Sequence, residues 1–152
     1  GIVARRLPDV AWSVYCSRSY ADEYGAPDSA GALDGHAILA VDGALADRPA
    51  PQFLIRAAPN SKVSARSNSL ANLVSALKAG LGIAMLPCLI GDSDEGLIRC
   101  LPPVKEVASE MWMIVREDVK SAPHVRAFAD FLATEIQKKR AMLAGEVATA
   151  PR

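Results

Sequence analysis

Residues 67–87 read SNSLANLVSALKAGLGIAMLP. Leu70, Leu73, Val74, Leu77 and Leu81 fall at i, i+3, i+4, i+7 and i+11, which places them on one face of an α-helix. The spacing predicts a helix from about Ser69 to Ala79. Asn68 or Ser69 supplies a side-chain oxygen to cap its first turn. Gly80 suits the left-handed conformation that follows a last turn. Residues 82–86 then make a short buried strand, stopped by Pro87. This order is the reverse of the strand, Gly-loop, helix order that cradles a phosphate. Gly80-Leu81-Gly82 therefore reads as a tight helix-to-strand turn, not a dinucleotide loop.

Working upstream, residues 2–6 and 11–16 are apolar, β-favouring runs with Pro8-Asp9 between them, read as two strands joined by a turn. Ser17-Arg18-Ser19-Tyr20 opens a short helix that stops at Gly25. Asp28-Ser29 starts another helical turn, and residues 36–41 form a buried strand. Residues 42–52, with Gly43, Pro49 and Pro51, read as a surface loop. Residues 53–57 and 62–66 read as strands around a Pro59-Asn60 turn.

Downstream, residues 89–92 make a helical turn, and residues 97–101 and 111–115 make strands. A closing helix begins near Ser121 or Ala122 and carries Val125, Phe128, Leu132 and Ile136 on one stripe. Lys138, Lys139 and Arg140 complement the negative end of its dipole. The Ala-rich tail beyond is expected to fray. Strands alternate with helices, which predicts an α/β fold with a mostly parallel sheet.

Composition sets outer limits. In 152 residues, 51% are apolar and 22% charged, enough to build a packed core. Seventeen basic residues balance seventeen acidic ones, which argues against a free-standing nucleic-acid binder. No apolar run reaches the ~20 residues that span a bilayer. The chain opens at Gly1 inside a strand, and the expectation is a piece of a longer gene product.

Few residues point to chemistry. Cys16, Cys88 and Cys100 are widely spaced, without a CxxC pair, and read as small buried hydrophobes rather than a disulfide framework, metal site or redox motif. His36 and His124 belong to no legible carboxylate-His-Ser arrangement. Asp92, Asp94 and Glu95 lack the ligand frame of a calcium loop. No cofactor and no metal is expected. One feature has more promise. Asn68 and Ser69 begin the best helix, whose free N–H groups favour an anion or carbonyl oxygen. Ser17 lies at a similar strand-to-helix junction. Pro87-Cys88 ends a strand, where α/β sheets bind ligands. The candidate site is therefore Ser17, Asn68, Ser69, Pro87 and Cys88, with Ser17, Asn68 and Cys88 expected to line one pocket.

The order of these elements resembles one family. Ser67-Asn68-Ser69-Leu70, the helix, and Ala79-Gly80-Leu81-Gly82-Ile83-Ala84-Met85-Leu86-Pro87 resemble the second-lobe core of LysR-type effector-binding domains. Val14-Tyr15-Cys16-Ser17-Arg18-Ser19-Tyr20 resembles the family's "ASPAY"-like entry to that lobe. Relatives often carry Pro after the Ser, where this chain has Arg18, which the resemblance adds to the candidate site as a cation near the cleft mouth. Asp34-Gly35-His36 resembles the "L-x-G-H" turn, residues 96–102 the "G-x-L-V-x-L-P" return strand, and residues 125–132 the closing helix. The likeness runs from Gly1 to about Ile136. The winged helix-turn-helix, the linker helix and the opening elements of the first lobe have no counterpart in it.

The resemblance implies a type II periplasmic-binding-protein-like fold of two lobes, the first incomplete. Residues 1–15 and 107–140 belong to that first lobe, residues 16–106 to the second, and residues 141–152 to a frayed tail. It implies a cytoplasmic homo-oligomer, not an enzyme and not membrane-bound. A small effector, an anion in one version, sits between the lobes and modulates DNA binding by an absent N-terminal domain. Two alternatives stay open. One is a periplasmic solute-binding protein of the same fold. The other is an enzyme on that fold, such as a porphobilinogen deaminase, which needs a cysteine carrying a covalent cofactor. A prephenate dehydratase needs a Thr-Arg-Phe motif, which this sequence lacks.

Overall fold

The structure is a computed structural model, and it describes residues 1–146. Seven strands and six helices follow in the order β1 (Ile2–Val10), β2 (Trp12–Ser17), α1 (Arg18–Tyr24), β3 (Ile38–Val41), α2 (Pro49–Ala57), β4 (Val63–Ser67), α3 (Leu70–Lys78), β5 (Ala84–Pro87), α4 (Cys88–Gly91), β6 (Leu97–Arg99), β7 (Ser109–Arg116), α5 (Pro123–Lys138) and α6 (Arg140–Leu143).

The larger unit is a sheet between two helical layers. β5, β2 and β6 pair antiparallel with β2 in the middle, and β3 pairs parallel with β4. A parallel bridge from Ile38 to Ile83 joins the two groups, giving the order β4-β3-β5-β2-β6. Gly82 makes that junction possible. A Cβ there would collide with the Ala37 carbonyl, while the Ile83 N–H donates to that same oxygen at 2.8 Å. The helix-to-strand turn read from Gly80-Leu81-Gly82 is present, with Gly80 at φ +78°. The expectation of a mostly parallel sheet is not met, because β2 runs against both its neighbours.

α3 covers one face of this sheet. Leu73 and Leu77 are buried against Tyr15, Leu39, Ala84, Leu86 and Leu97, as the periodicity predicts. Leu81 lies past the helix end and is exposed. α1 and α2 cover the other face, where Tyr20 and Leu54 pack on Val14, Cys16, Ile38, Ala40, Ile83 and Met85.

Residues 53–57, expected as a strand, belong to α2. The stripe that decides this is Ala50, Leu54 and Ala58, four residues apart and all buried. Two members lie outside the run first read as a strand. Pro49 and Pro51 open the helix at positions whose N–H groups have no intrahelical acceptor, so their missing donors cost nothing.

The smaller unit is the antiparallel ribbon of β1 and β7 with α5 laid along it. β1 does not turn at Pro8-Asp9. It runs on to Val10, and its register against β7 slips between Leu7 and Val10. Proline lacks the N–H a ladder needs, and a bulge absorbs it. β1 and β2 are consecutive yet unpaired with each other. The chain passes between the units at Val10–Trp12 and again ahead of Ser109. The face of α5 toward the ribbon carries Ala133, with Val125, Ala129, Leu132 and Ile136 half-buried. Phe128, expected on that stripe, points to solvent with Phe131.

The tail expected to fray is docked as far as it is described. The Leu143 carbonyl accepts from the Ala11 N–H at 2.9 Å, and the Gly145 carbonyl from Arg99 Nη2 at 2.9 Å. Residues 147–152 of that expected tail lie outside the described residues. Among the described residues no helix is long and apolar enough to cross a membrane.

Candidate functional site

Strand direction decides where the sheet offers a site. β3, β4 and β5 all finish at one end, at Val41, Ser67 and Pro87. β2 begins there, with Trp12 opposite Pro87. β7 also begins there, and Trp12 Nε1 donates to Ser109 Oγ at 2.9 Å. That bond ties the indole to the point where the two units meet.

A pocket of about 400 Å³ opens at this end. Trp12, Ala108, Ser109 and Glu110 line it where the two units meet. Val41, Leu45 and Leu70 supply its sheet side, and the first turn of α2, Arg48 to Pro51, closes the rest. Its volume falls within the range of small-molecule sites, and its walls are mostly apolar with a few polar groups, as such sites usually are.

The polar groups are unequally engaged. Glu110 Oε1 lies 3.5 Å from Arg6 Nη2, and Glu110 Oε2 accepts from Trp112 Nε1 at 3.0 Å. A hydrogen bond from Arg6 to Asp9, then the charge of Glu110, raises the Arg6 pKa above the usual arginine range. The Arg48 side chain has no hydrogen bond or ion pair among the described residues. Ser109 Oγ accepts from the indole and makes no other side-chain hydrogen bond there.

The six candidate site residues do not converge, and Ser17, Asn68 and Cys88, expected to line one pocket, lie apart. Asn68 is at the pocket end, exposed, its Cβ 3.8 Å from where a Cβ on Gly43 would stand. Ser69 is the N-cap of α3, its hydroxyl accepting from the Asn72 N–H at 3.4 Å. Pro87 is buried against β2. Cys88 is buried beneath the tail, and a Cβ on Gly145 would stand 3.1 Å from its sulfur. Ser17 is at the opposite end of the sheet, paired with Leu97 and close to Gly80. Its hydroxyl caps α1 by accepting from the Tyr20 N–H at 3.0 Å. Arg18 follows it there, exposed. The physical reason is the antiparallel run of β2, whose carboxyl end points away from those of β3, β4 and β5. Trp12, Arg48 and Ser109 were not singled out from the sequence, and no spacing joins positions so far apart. The pair of prolines beside Arg48 was the one available signal of a helix start.

The remaining polar clusters serve the packing. The Tyr15 hydroxyl donates to Asp92 Oδ1 at 2.8 Å, and Arg99 makes a bidentate pair with the same carboxylate at 3.1 and 2.6 Å. Burial, then hydrogen bonding toward Cys88 and Asp92, holds the Tyr15 phenol far above its usual pKa. Tyr20 Oη and His36 Nδ1 share a hydrogen bond at 2.6 Å. Cys16 and Cys88 are buried and Cys100 is partly so, with Cys16 and Cys100 sulfurs 3.5 Å apart. Among the described residues no three metal-ligating side chains gather.

Comparisons with known proteins give the architecture a family. A search of curated proteins returns no match. Among solved structures, the regulatory domain of CrgA, a LysR-type transcriptional regulator from Neisseria meningitidis, aligns with a TM-score of 0.67 at 26% identity, over 90% of this chain and 69% of that one. Against a second, longer structure of CrgA the match covers 48% of that chain, at 25% identity and a TM-score of 0.67, so this chain spans about half of it. The effector domain of AmpR from Pseudomonas aeruginosa shares the fold at 17% identity, with a TM-score of 0.63 over 92% of this chain and 68% of that one. The family model described as the LysR substrate binding domain matches residues 1–137. The chain belongs to that family, the periplasmic-binding-protein-like regulatory part of LysR-type transcription regulators.

Proposed function

We propose that this chain senses a small-molecule effector in the pocket at its hinge and relays the binding to DNA through a separate helix-turn-helix domain. It acts in the cytoplasm as part of a homo-oligomer, and it senses rather than catalyses. One observation carries the reading. The pocket is built jointly by the strand starts at which the chain changes units, Trp12 and Ser109, and by the sheet end at Val41 and Leu70. A ligand there touches both sides of the hinge, so it has different contacts in open and closed arrangements, which is what shifting a conformational equilibrium requires.

In this reading residues 1–15 and 107–140 belong to the first lobe and residues 16–106 to the second. The change of pairing partner between Val10 and Trp12 supports a crossing a few residues ahead of that boundary.

Leu45 is exposed at the pocket's edge, so Leu45→Trp fills the pocket without entering the core. A thermal-shift screen of small metabolites against wild type and this variant tests the proposal. A ligand at one hundred times its Kd stabilises the fold by about 2.7 kcal/mol. Compounds that raise the wild-type Tm should leave Leu45→Trp unmoved. Equal shifts in both proteins place the binding elsewhere and overturn the reading.

A further inference from the structure

We infer that Cys16 and Cys100 form a redox-active dithiol, which closes to a disulfide by exchange with a low-molecular-weight disulfide such as oxidised glutathione. The inference is independent of the hinge pocket, which neither cysteine lines.

The sheet makes the pair. β2 and β6 run antiparallel with Cys16 opposite Ile98, so Cys100, two residues on, emerges on the same face. β6 ends at Arg99, yet the Cys100 N–H still donates to the Val14 carbonyl at 2.8 Å and stays beside β2. The two sulfurs stand 3.5 Å apart, with the Cys100 thiol donating to Cys16. A disulfide needs about 2.0 Å, so bridging draws the end of β6 slightly inward. Burial divides the roles. Cys16 is fully buried with Val14 and Tyr20, whereas Cys100 is partly exposed. Cys100 is therefore the sulfur a solute reaches, and Cys16 the one behind it. Cys88 is buried beneath the tail, close to Gly145.

The exchange balances. The Cys100 thiol loses its proton, and the thiolate attacks one sulfur of oxidised glutathione, expelling one glutathione thiolate and leaving a mixed disulfide. The Cys16 thiolate then attacks the Cys100 sulfur, forms the protein disulfide and expels the second glutathione thiolate. The two protons lost by the cysteines end on the two glutathiones. Donation to Cys16, then burial, holds the Cys100 thiol above its usual pKa, so entry is the slow step and quickens as pH rises. The bridge staples two segments that run together to the meeting of the units. There the Ser13 hydroxyl donates to the Leu101 carbonyl at 2.7 Å, and the Val104 N–H to the Trp12 carbonyl at 2.9 Å. In the cytoplasm of the proposed function, glutathione keeps such a pair reduced until the oxidised fraction of its pool rises.

Trypsin places each cysteine in its own peptide, Cys16 in 7–18, Cys88 in 79–99 and Cys100 in 100–105. The test incubates the native chain with oxidised glutathione, alkylates the remaining thiols and maps the peptides by mass without reduction. The expected result is a link between 7–18 and 100–105, with Cys88 alkylated. Dithiothreitol should restore all three thiols. Cys16→Ala should trap one glutathione on Cys100, and Cys100→Ala should leave Cys16 unmodified in the folded chain. The wild-type map decides even where a variant fails to fold. The inference is overturned if the native chain keeps three free thiols while the urea-unfolded chain reacts. It is equally overturned if glutathione stays on Cys100 without the link, or if the link joins 79–99 or two copies of 100–105.

Discussion

Asp92 shows how a single carboxylate can hold distant parts of the chain. Its side chain is 9% exposed, and it receives the Tyr15 hydroxyl and both arms of Arg99, whose guanidinium also donates to the Gly145 carbonyl. Arg99→Met removes the guanidinium from a nearly buried acid and releases the tail. Breaking such pairs is costly because the charge left behind stays desolvated. Arg99 is itself partly exposed, so about 2 kcal/mol is expected, a fall of roughly 4–8 °C in Tm by calorimetry. Tyr15 gives the same cluster a pH signature. Its folded pKa is raised, so its contribution is complete below the unfolded phenol value of about 10 and declines as pH rises beyond it. Alkaline denaturation should steepen above that pH, and Tyr15→Phe should flatten that part of the profile. These positions were legible in the sequence as apolar or turn residues, but their partnership was not. Residues 15, 92 and 99 meet only because β2 lies beside β6 with α4 folded over them.

The elements were legible where periodicity was long and capped. α3 showed itself through Leu73 and Leu77, and its ends through Ser69 and Gly80. α2 was missed because the five-residue run at 53–57 cannot separate a strand from a buried helix by pattern. Its deciding contacts, Ala50 and Ala58, lay outside the run. Strand direction was the larger loss. Local sequence carries no record of whether β2 runs with or against β5, and that choice moves Ser17 from the pocket to the far end of the sheet. The cap role makes a clean prediction. Ser17→Ala should cost about 1 kcal/mol by denaturant titration, because a buried N-cap hydroxyl is lost. It should leave the affinity for any hinge-pocket ligand unchanged. A tenfold loss of affinity at unchanged stability would return Ser17 to the site.

At the scale of the molecule, the ribbon of β1 and β7 carries apolar surface on the side away from α5. Ile2 is 64% exposed, Trp112 46% and Ile114 60%, while Phe128 and Phe131 are exposed on the outer side of α5. β1 pairs with β7, and no other strand pairs with it among the described residues. Bare apolar surface and a free strand edge both promote association. The isolated chain is therefore expected to dimerise or aggregate, and Ile114→Lys with Phe128→Lys to reduce that association. Multi-angle light scattering checks it. A wild-type monomer with one sharp melting transition would mean this surface is tolerated bare.

In the proposed function, occupancy of the pocket governs an activity exercised elsewhere. The most direct measurement of this is the operator-binding isotherm of the regulator that carries this domain, with and without the small molecule that stabilises the isolated chain, in wild type and Leu45→Trp. The expected result is equal operator affinity for the two unliganded proteins, a ligand-dependent change in wild type, and none in Leu45→Trp. A ligand response of the same size in Leu45→Trp would contradict it.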